Sequence, residues 1–214
     1  MTARPFHLGW FTNFAVDEWT RPFTGGGGNP WDGKFYIDMA QAMERACFDY
    51  IMLEDTLMIS EAYGGTTEMY LKHNIMGPKA DPSPMAALIG ANTTHLGVVS
   101  TFSTMAYPPF MLARLCSTLD NICGGRFGWN IVTTGEDLAA QNFGMEKLPP
   151  RQLRYDMADE YVELVKQLWA SWEPGAVVRD LSTGTYADYT KINPINFKGT
   201  YYSSRGPLNC APSP

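Results

Sequence analysis

The sequence predicts an α/β fold, a parallel sheet covered by helices. Three observations lead there. Strand-like and helix-like apolar periodicities alternate in the order β-α-β-α-β-α-β-α. The strand segments are largely continuous apolar runs, as suits strands buried on both faces. No GxGxxG turn follows the first strand, so a dinucleotide-binding doubly wound sheet lacks its signature and a (β/α) barrel stands as its competitor.

The first strand candidate is "HLGWFTN" (7–13). The glycine-rich "TGGGGNP" (24–30) reads as a loop, because no helix opens directly behind it to make a phosphate site. Tyr36, Met39, Ala40, Met43 and Cys47 recur at helical spacing, and "YIMLED" (50–55) is a short apolar run ending on two acids. "PSPMAALIGANTT" (82–94) is helical after its prolines, and "HLGVVSTFST" (95–104) is again a strand. Leu112, Leu115, Cys116, Leu119 and Ile122 mark a helix that Gly124-Gly125 should stop. "RFGWNIVTT" (126–134) is the fourth strand. Tyr161, Leu164, Val165, Leu168, Trp169 and Trp172 stripe the last helix, with Asp156, Asp159 and Glu160 early in it, where the helix dipole favours acids. From 174 to 214 the alternation breaks into an irregular excursion, with a hairpin expected between Ala176–Asp180 and Asn196–Tyr202.

Composition bounds the function. The net charge of -6 argues against nucleic acid as a partner, and no apolar stretch is long enough to span a bilayer. Without a signal-peptide pattern in "MTARPFHLGWF", the expected location is the cytoplasm. Cys47, Cys116, Cys123 and Cys210 form no CxxC pair. The first three lie in apolar helical contexts that suit buried, reduced thiols, and no metal site is expected.

All four strands finish on polar residues: Thr12-Asn13, Glu54-Asp55, Thr101 with Ser103-Thr104, and Asn130 with Thr133-Thr134. Such residues could cap the helices that follow. In a barrel they would instead gather at one rim, where active sites are built. The set holds no nucleophile–base pair and no pair of acids from separate strands, so no catalytic residue is assigned. His7 and His95 fall at strand beginnings, on the opposite face, and His73 falls in a loop. Neutral donors and acceptors without acid–base machinery point to a cofactor that carries the chemistry. Aromatic residues on the same side, Phe11, Phe14, Trp31, Tyr63 and Tyr107, are candidates for lining a substrate pocket.

Five stretches, "FDYIMLEDT", "THLGVVSTFSTMAYPPFMLARLCSTLDNICGGRFGWNIVTT", "QNFG", "RYDMADEYVELVKQLWASW" and "FKGTYYSSRGPLN", carry a family likeness. The chain resembles the bacterial-luciferase-like flavin-dependent monooxygenases, in the branch of nitrilotriacetate and dibenzothiophene-sulfone monooxygenases. The resemblance implies a (β/α)8 TIM-barrel fold. Residues 1–173 would be its N-terminal half, about the first four β/α units, and 174–214 an irregular excursion before the second half. It also implies a two-component system. A separate NAD(P)H:FMN reductase supplies reduced FMN, and the oxygenase, a homo-oligomer, uses it with O2 to oxygenate a small organic substrate. The aromatic content of the loops 14–35 and 56–83 favours a hydrophobic or aromatic substrate.

The family's flavin contacts fall on Asp55 at the second strand end, Thr101 with Ser103 nearby on the third, and Asn130 on the fourth. Neutral amide and hydroxyl groups there would bond the polar edge of the flavin without reacting. Tyr155 would contact the ribityl-phosphate side. Four residues before it, where relatives carry a histidine, stands Arg151; an arginine can bond phosphate but cannot act as a near-neutral proton donor. Relatives continue past "RGPLN", whereas this chain stops at Pro214, so the rest of the barrel is expected from the same longer chain or from a companion chain. Two other readings compete: a deazaflavin-dependent hydride-transfer oxidoreductase of the same superfamily, and a non-catalytic flavin-binding fragment.

Overall fold

A computed structural model describes residues 6–12 and 33–214. Four strands, β1 (Gly9–Phe11), β2 (Tyr50–Leu53), β3 (Gly97–Ser103) and β4 (Phe127–Val132), form one sheet in the order β1-β2-β3-β4. Every neighbouring pair is parallel. Helices α1 (Lys34–Arg45), α3 (Pro82–Ala91) and α4 (Pro109–Ile122) connect successive strands, and α6 (Arg151–Ala170) follows β4. The α/β class and the four β/α units expected from periodicity are therefore present. No described helix is long and apolar enough to cross a membrane.

Strand alternation decides what faces the helices. Ile51 and Leu53 of β2, and Val98 and Phe102 of β3, are buried against Ala40 and Met43, Ala86 and Ile89, and Leu112 and Cys116 of the three connecting helices. Burying each large aliphatic or aromatic side chain there contributes about 2 kcal/mol. Ser100 belongs to the same face, its hydroxyl donating to Pro82 O at 3.3 Å. The alternate residues, Met52, Val99, Thr101 and Ser103, therefore point to the opposite face, as do their register partners Asn130 and Val132. Near the N-terminal ends of the strands one aromatic ring dominates that face. A Cβ on Gly9 would lie 2.2 Å from the Tyr50 ring, and one on Gly97 would lie 3.1 Å from Tyr50 Cβ.

Local chemistry sets the helix ends. Asp81 Oδ1 accepts from the Ser83 N–H at 2.8 Å, with Pro82 in the first helical position, so α3 starts there. After α4 the chain turns through Gly124 and Gly125, both at positive φ.

Several expectations need correction. Two short helices, α2 (Glu68–His73) and α5 (Asp137–Gln141), were not foreseen, and His73 ends α2 instead of lying in a loop. The hairpin in the excursion pairs differently. Strand β5 (Val177–Asp180) pairs antiparallel with β6 (Thr185–Ala187), and β7 (Phe197–Lys198) with β8 (Ser203–Ser204). The turn at 181–184 brings β5 back on itself, so the nearer partner wins over 196–202. Cys47 is exposed, at φ 61° just past α1, so the apolar spacing that reached it overran the helix. Glu160 is no dipole partner at the helix start. It sits mid-helix, where its carboxylate accepts from the N–H groups of Thr200, Tyr201 and Tyr202 at 2.7–2.8 Å. The glycine-rich segment 24–30 lies outside the described residues.

Candidate functional site

The polar strand ends separate clearly from the helix caps. The residues preceding α1 to α6 are Gly33, Thr67, Asp81, Pro108, Glu136 and Pro150, and none of them belongs to the polar ends of the four strands. What those strand-end groups do instead is visible strand by strand.

At β1, Thr12 Oγ1 donates to Met52 O at 3.1 Å and accepts from the Glu54 N–H at 3.1 Å, so it fastens β1 to β2. Asn13 lies outside the described residues. At β2, the buried Glu54 carboxylate is paired with the Lys79 ammonium through Oε1. Its Oε2 is buried and has no hydrogen bond among the described residues. Asp55 is partly buried, and its carboxyl is pushed up to about 6 by burial first and by the Asp81 charge second.

At β3 and β4 the hydroxyls and the amide lock together. Thr101 and Asn130 are register partners, and Asn130 Nδ2 donates to Thr101 Oγ1 at 2.9 Å. With that acceptor used, the Thr101 O–H can donate to something else. Ser103 Oγ and Thr134 Oγ1 lie 2.5 Å apart, and Ser103 Oγ also accepts from the Met105 N–H at 3.1 Å. One proton joins the Ser103–Thr134 pair, which leaves one O–H to donate elsewhere. The Trp129 indole N–H donates to Phe102 O at 3.0 Å, which fixes the ring on the helix side.

Two cavities meet at these ends. The smaller, about 160 Å³, is walled by Asp55, Thr101, Ser103 and Thr134 together with the apolar Leu57, Met58, Met76, Val132 and Ala139. The larger, about 760 Å³, is an open groove between the end of β4 and α6, reaching Tyr155, Asp159 and Lys166. Asp55, Val132, Thr134 and Gly135 line both. The segment after β2 is tied down over the smaller cavity by two bonds. Ser60 Oγ donates to Glu136 Oε2 at 3.1 Å, and Asn142 Nδ2 donates to Leu57 O at 2.8 Å.

Of the flavin candidates, Asp55, Thr101 and Ser103 thus share one cavity. Asn130 lines neither cavity but is hydrogen-bonded to Thr101 beside it, and Tyr155 lies on the groove. Arg151 lines neither cavity; it is exposed, with its guanidinium 5.6 Å from the centre of the Tyr155 ring. Of the aromatic candidates, the three among the described residues do not line these cavities. Phe11 and Tyr63 are largely exposed, and neither lines the two cavities. Tyr107 packs edge-on against the core residue Phe102, with centroids 5.4 Å apart, and its hydroxyl is pushed up to about 12 by burial and by the charges of Asp81 and Asp55. Phe14 and Trp31 lie outside the described residues. The apolar wall is instead aliphatic and thioether, from Leu57, Met58 and Met76. Periodicity could not flag these loop residues, although "TLM" directly after Asp55 places two of them beside the strand end.

The family model described as luciferase-like monooxygenase matches residues 6–214. Dibenzothiophene-sulfone monooxygenase of Rhodococcus erythropolis is 39% identical over 183 residues, covering 85% of this chain and 40% of that enzyme. Nitrilotriacetate monooxygenase component A of Aminobacter aminovorans is 35% identical over 184 residues, covering 83% and 40%. The crystal structure of a long-chain alkane monooxygenase superposes with a TM-score of 0.90 at 33% identity, covering 99% of this chain and 50% of that one. The chain thus spans about 40% of the length of these two sequence relatives. With its parallel β/α units, this chain belongs to the luciferase-like monooxygenase family and to its α/β barrel fold class.

Proposed function

We propose that the protein carrying this chain is an FMN-dependent two-component monooxygenase acting on a small, apolar organic substrate. Residues 1–173 would be the first half of its barrel and 174–214 an excursion from it. The observation that carries this reading is the convergence of Asp55, Thr101, Ser103 and Thr134 on one cavity at the C-terminal ends of adjacent parallel strands. The donor set fits a flavin. It offers neutral hydroxyls with protons to donate, the Asp55 carboxyl, which burial raises to about 6, the Glu136 carboxyl, which accepts from Ser60, and an adjoining groove for the longer arm of the molecule. FMN, reduced by a separate NAD(P)H-dependent reductase, would supply the electrons that activate O2.

The chain's own residues would then bind, orient and exclude. Thr101 and the Ser103–Thr134 pair bond the polar edge of the ring, and Asn130 sets the direction of the Thr101 hydroxyl. Tyr155 and its neighbours on α6 flank the ribityl-phosphate arm. Leu57, Met58, Met76 and Val132 keep water from the reacting face. The monooxygenase names of the relatives favour oxygen insertion over hydride transfer. Turnover decides the matter. Product should form only when a flavin reductase and NADH accompany the protein, and oxygenation by the protein with NADH alone would contradict the scheme.

A further inference from the structure

Thr134 adopts a backbone conformation that β-branched residues avoid, with φ at 62°. Such strain persists only where the surroundings enforce it. Here the enforcing group is Arg154, in the first turn of α6. Its Nη1 donates to Thr133 O at 3.1 Å and also to Thr134 O, so one nitrogen grips the carbonyls on both sides of the kink. The rest of the guanidinium has no comparable task. Arg154 forms no ion pair with a carboxylate among the described residues, and its Nε is buried without a hydrogen bond there.

The kink matters because of what it presents. It turns Thr134 Oγ1 back to within 2.5 Å of Ser103 Oγ, across from β4 to the end of β3. Thr134 and Gly135 are walls of both cavities, whereas Arg154 lines neither. We infer that Arg154 is a positioning residue. It holds the turn after β4 in its left-handed form, and thereby aims the Ser103–Thr134 hydroxyl pair at the ligand of the site. The identity of that ligand, FMN, rests on the proposed function; the hold on the turn does not.

A plain joint between α6 and the sheet would also use Arg154, and a double-mutant cycle separates the two roles. Glycine adopts positive φ without strain, so Thr134→Gly should make the turn independent of Arg154. In the full protein, Arg154→Met should speed amide hydrogen exchange across 133–136 and raise the FMN dissociation constant about tenfold, read by flavin fluorescence. Added to Thr134→Gly, which also removes the Thr134 hydroxyl and so is read by exchange alone, it should change the exchange rate less than about twofold. Should Arg154→Met not fold, Arg154→Gln carries the same cycle. Unchanged exchange, an unchanged dissociation constant, or equal effects on exchange in both backgrounds would overturn the inference. If exchange responds as expected but the wild-type protein does not bind FMN, the flavin reading fails and the hold of Arg154 on the turn stands.

Discussion

The two ends of the sheet treat polar groups in opposite ways. At the N-terminal ends of the strands nearly every charge is matched. Arg126 donates four hydrogen bonds, to Thr93 Oγ1, Leu96 O, Gly90 O and Thr93 O. Glu44 accepts from the N–H groups of Thr94, His95 and Leu96. Asp49 accepts from the Leu8 N–H at 2.6 Å and contacts His7. At the C-terminal ends, Glu54 Oε2 and Arg154 Nε are buried without hydrogen bonds among the described residues, Thr134 is strained, and Asp55 is desolvated. One end is arranged for stability, and the other carries unmet bonding capacity of the kind a ligand can satisfy.

The contrast can be broken most forcefully at Arg126. Arg126→Ala leaves part-buried carbonyls at the end of α3 and before β3 without donors. It should lower the free energy of unfolding by about 3 kcal/mol in urea denaturation. Its effect on FMN affinity should be small, because the loss lies at the other end of the sheet.

Glu44 and Asp55 sharpen the comparison through pH. Partial burial would raise Glu44, but the backbone N–H groups of His95, Leu96 and Thr94 outweigh it and bring the carboxyl from 4.5 to about 2. A carboxyl depressed in the folded state stabilises fully above its unfolded value of 4.5, and that stability fades as pH falls toward 2. After allowance for solvent screening, Glu44→Ala should therefore cost about 1 kcal/mol at neutral pH, and the difference from wild type should shrink in acid.

Asp55 has the reverse sign. Its carboxyl rises from 3.8 to about 6 on folding, so stability declines as pH increases between those values and stays lower above them. Asp55→Asn should stabilise the protein at pH 7 by about 1 kcal/mol, after allowance for solvent screening. The same change should weaken FMN binding in a flavin titration. Stabilisation without loss of affinity would place Asp55 outside the flavin's reach.

Much of this arrangement was legible in the residues. The four strands announce themselves because apolar runs such as "FGWNIV" are bounded by glycines before and threonines after. The polar tips of β2, β3 and β4 could be read as one rim because parallel strands must finish on the same side. Helices α2 and α5 could not be read, since six and five residues are too few to establish a period. The left-handed state of Thr134 was equally hidden, because threonine normally signals the opposite conformation. Arg154 carries no signal in the sequence, since a grip on two carbonyls across 20 residues leaves no local pattern. The aliphatic and thioether wall was hidden for a related reason: ring content marks apolar character but not where a loop sends each side chain.

The ring of Tyr50 lies over Gly9 while its Cβ abuts Gly97, so three adjacent positions constrain one another. A side chain at Gly9 would need the tyrosine ring to move, whereas one at Gly97 would press on Tyr50 Cβ and Asp49 O, which remain even if the ring is removed. The floor of the sheet can therefore be redesigned at positions 9 and 50 only as a pair.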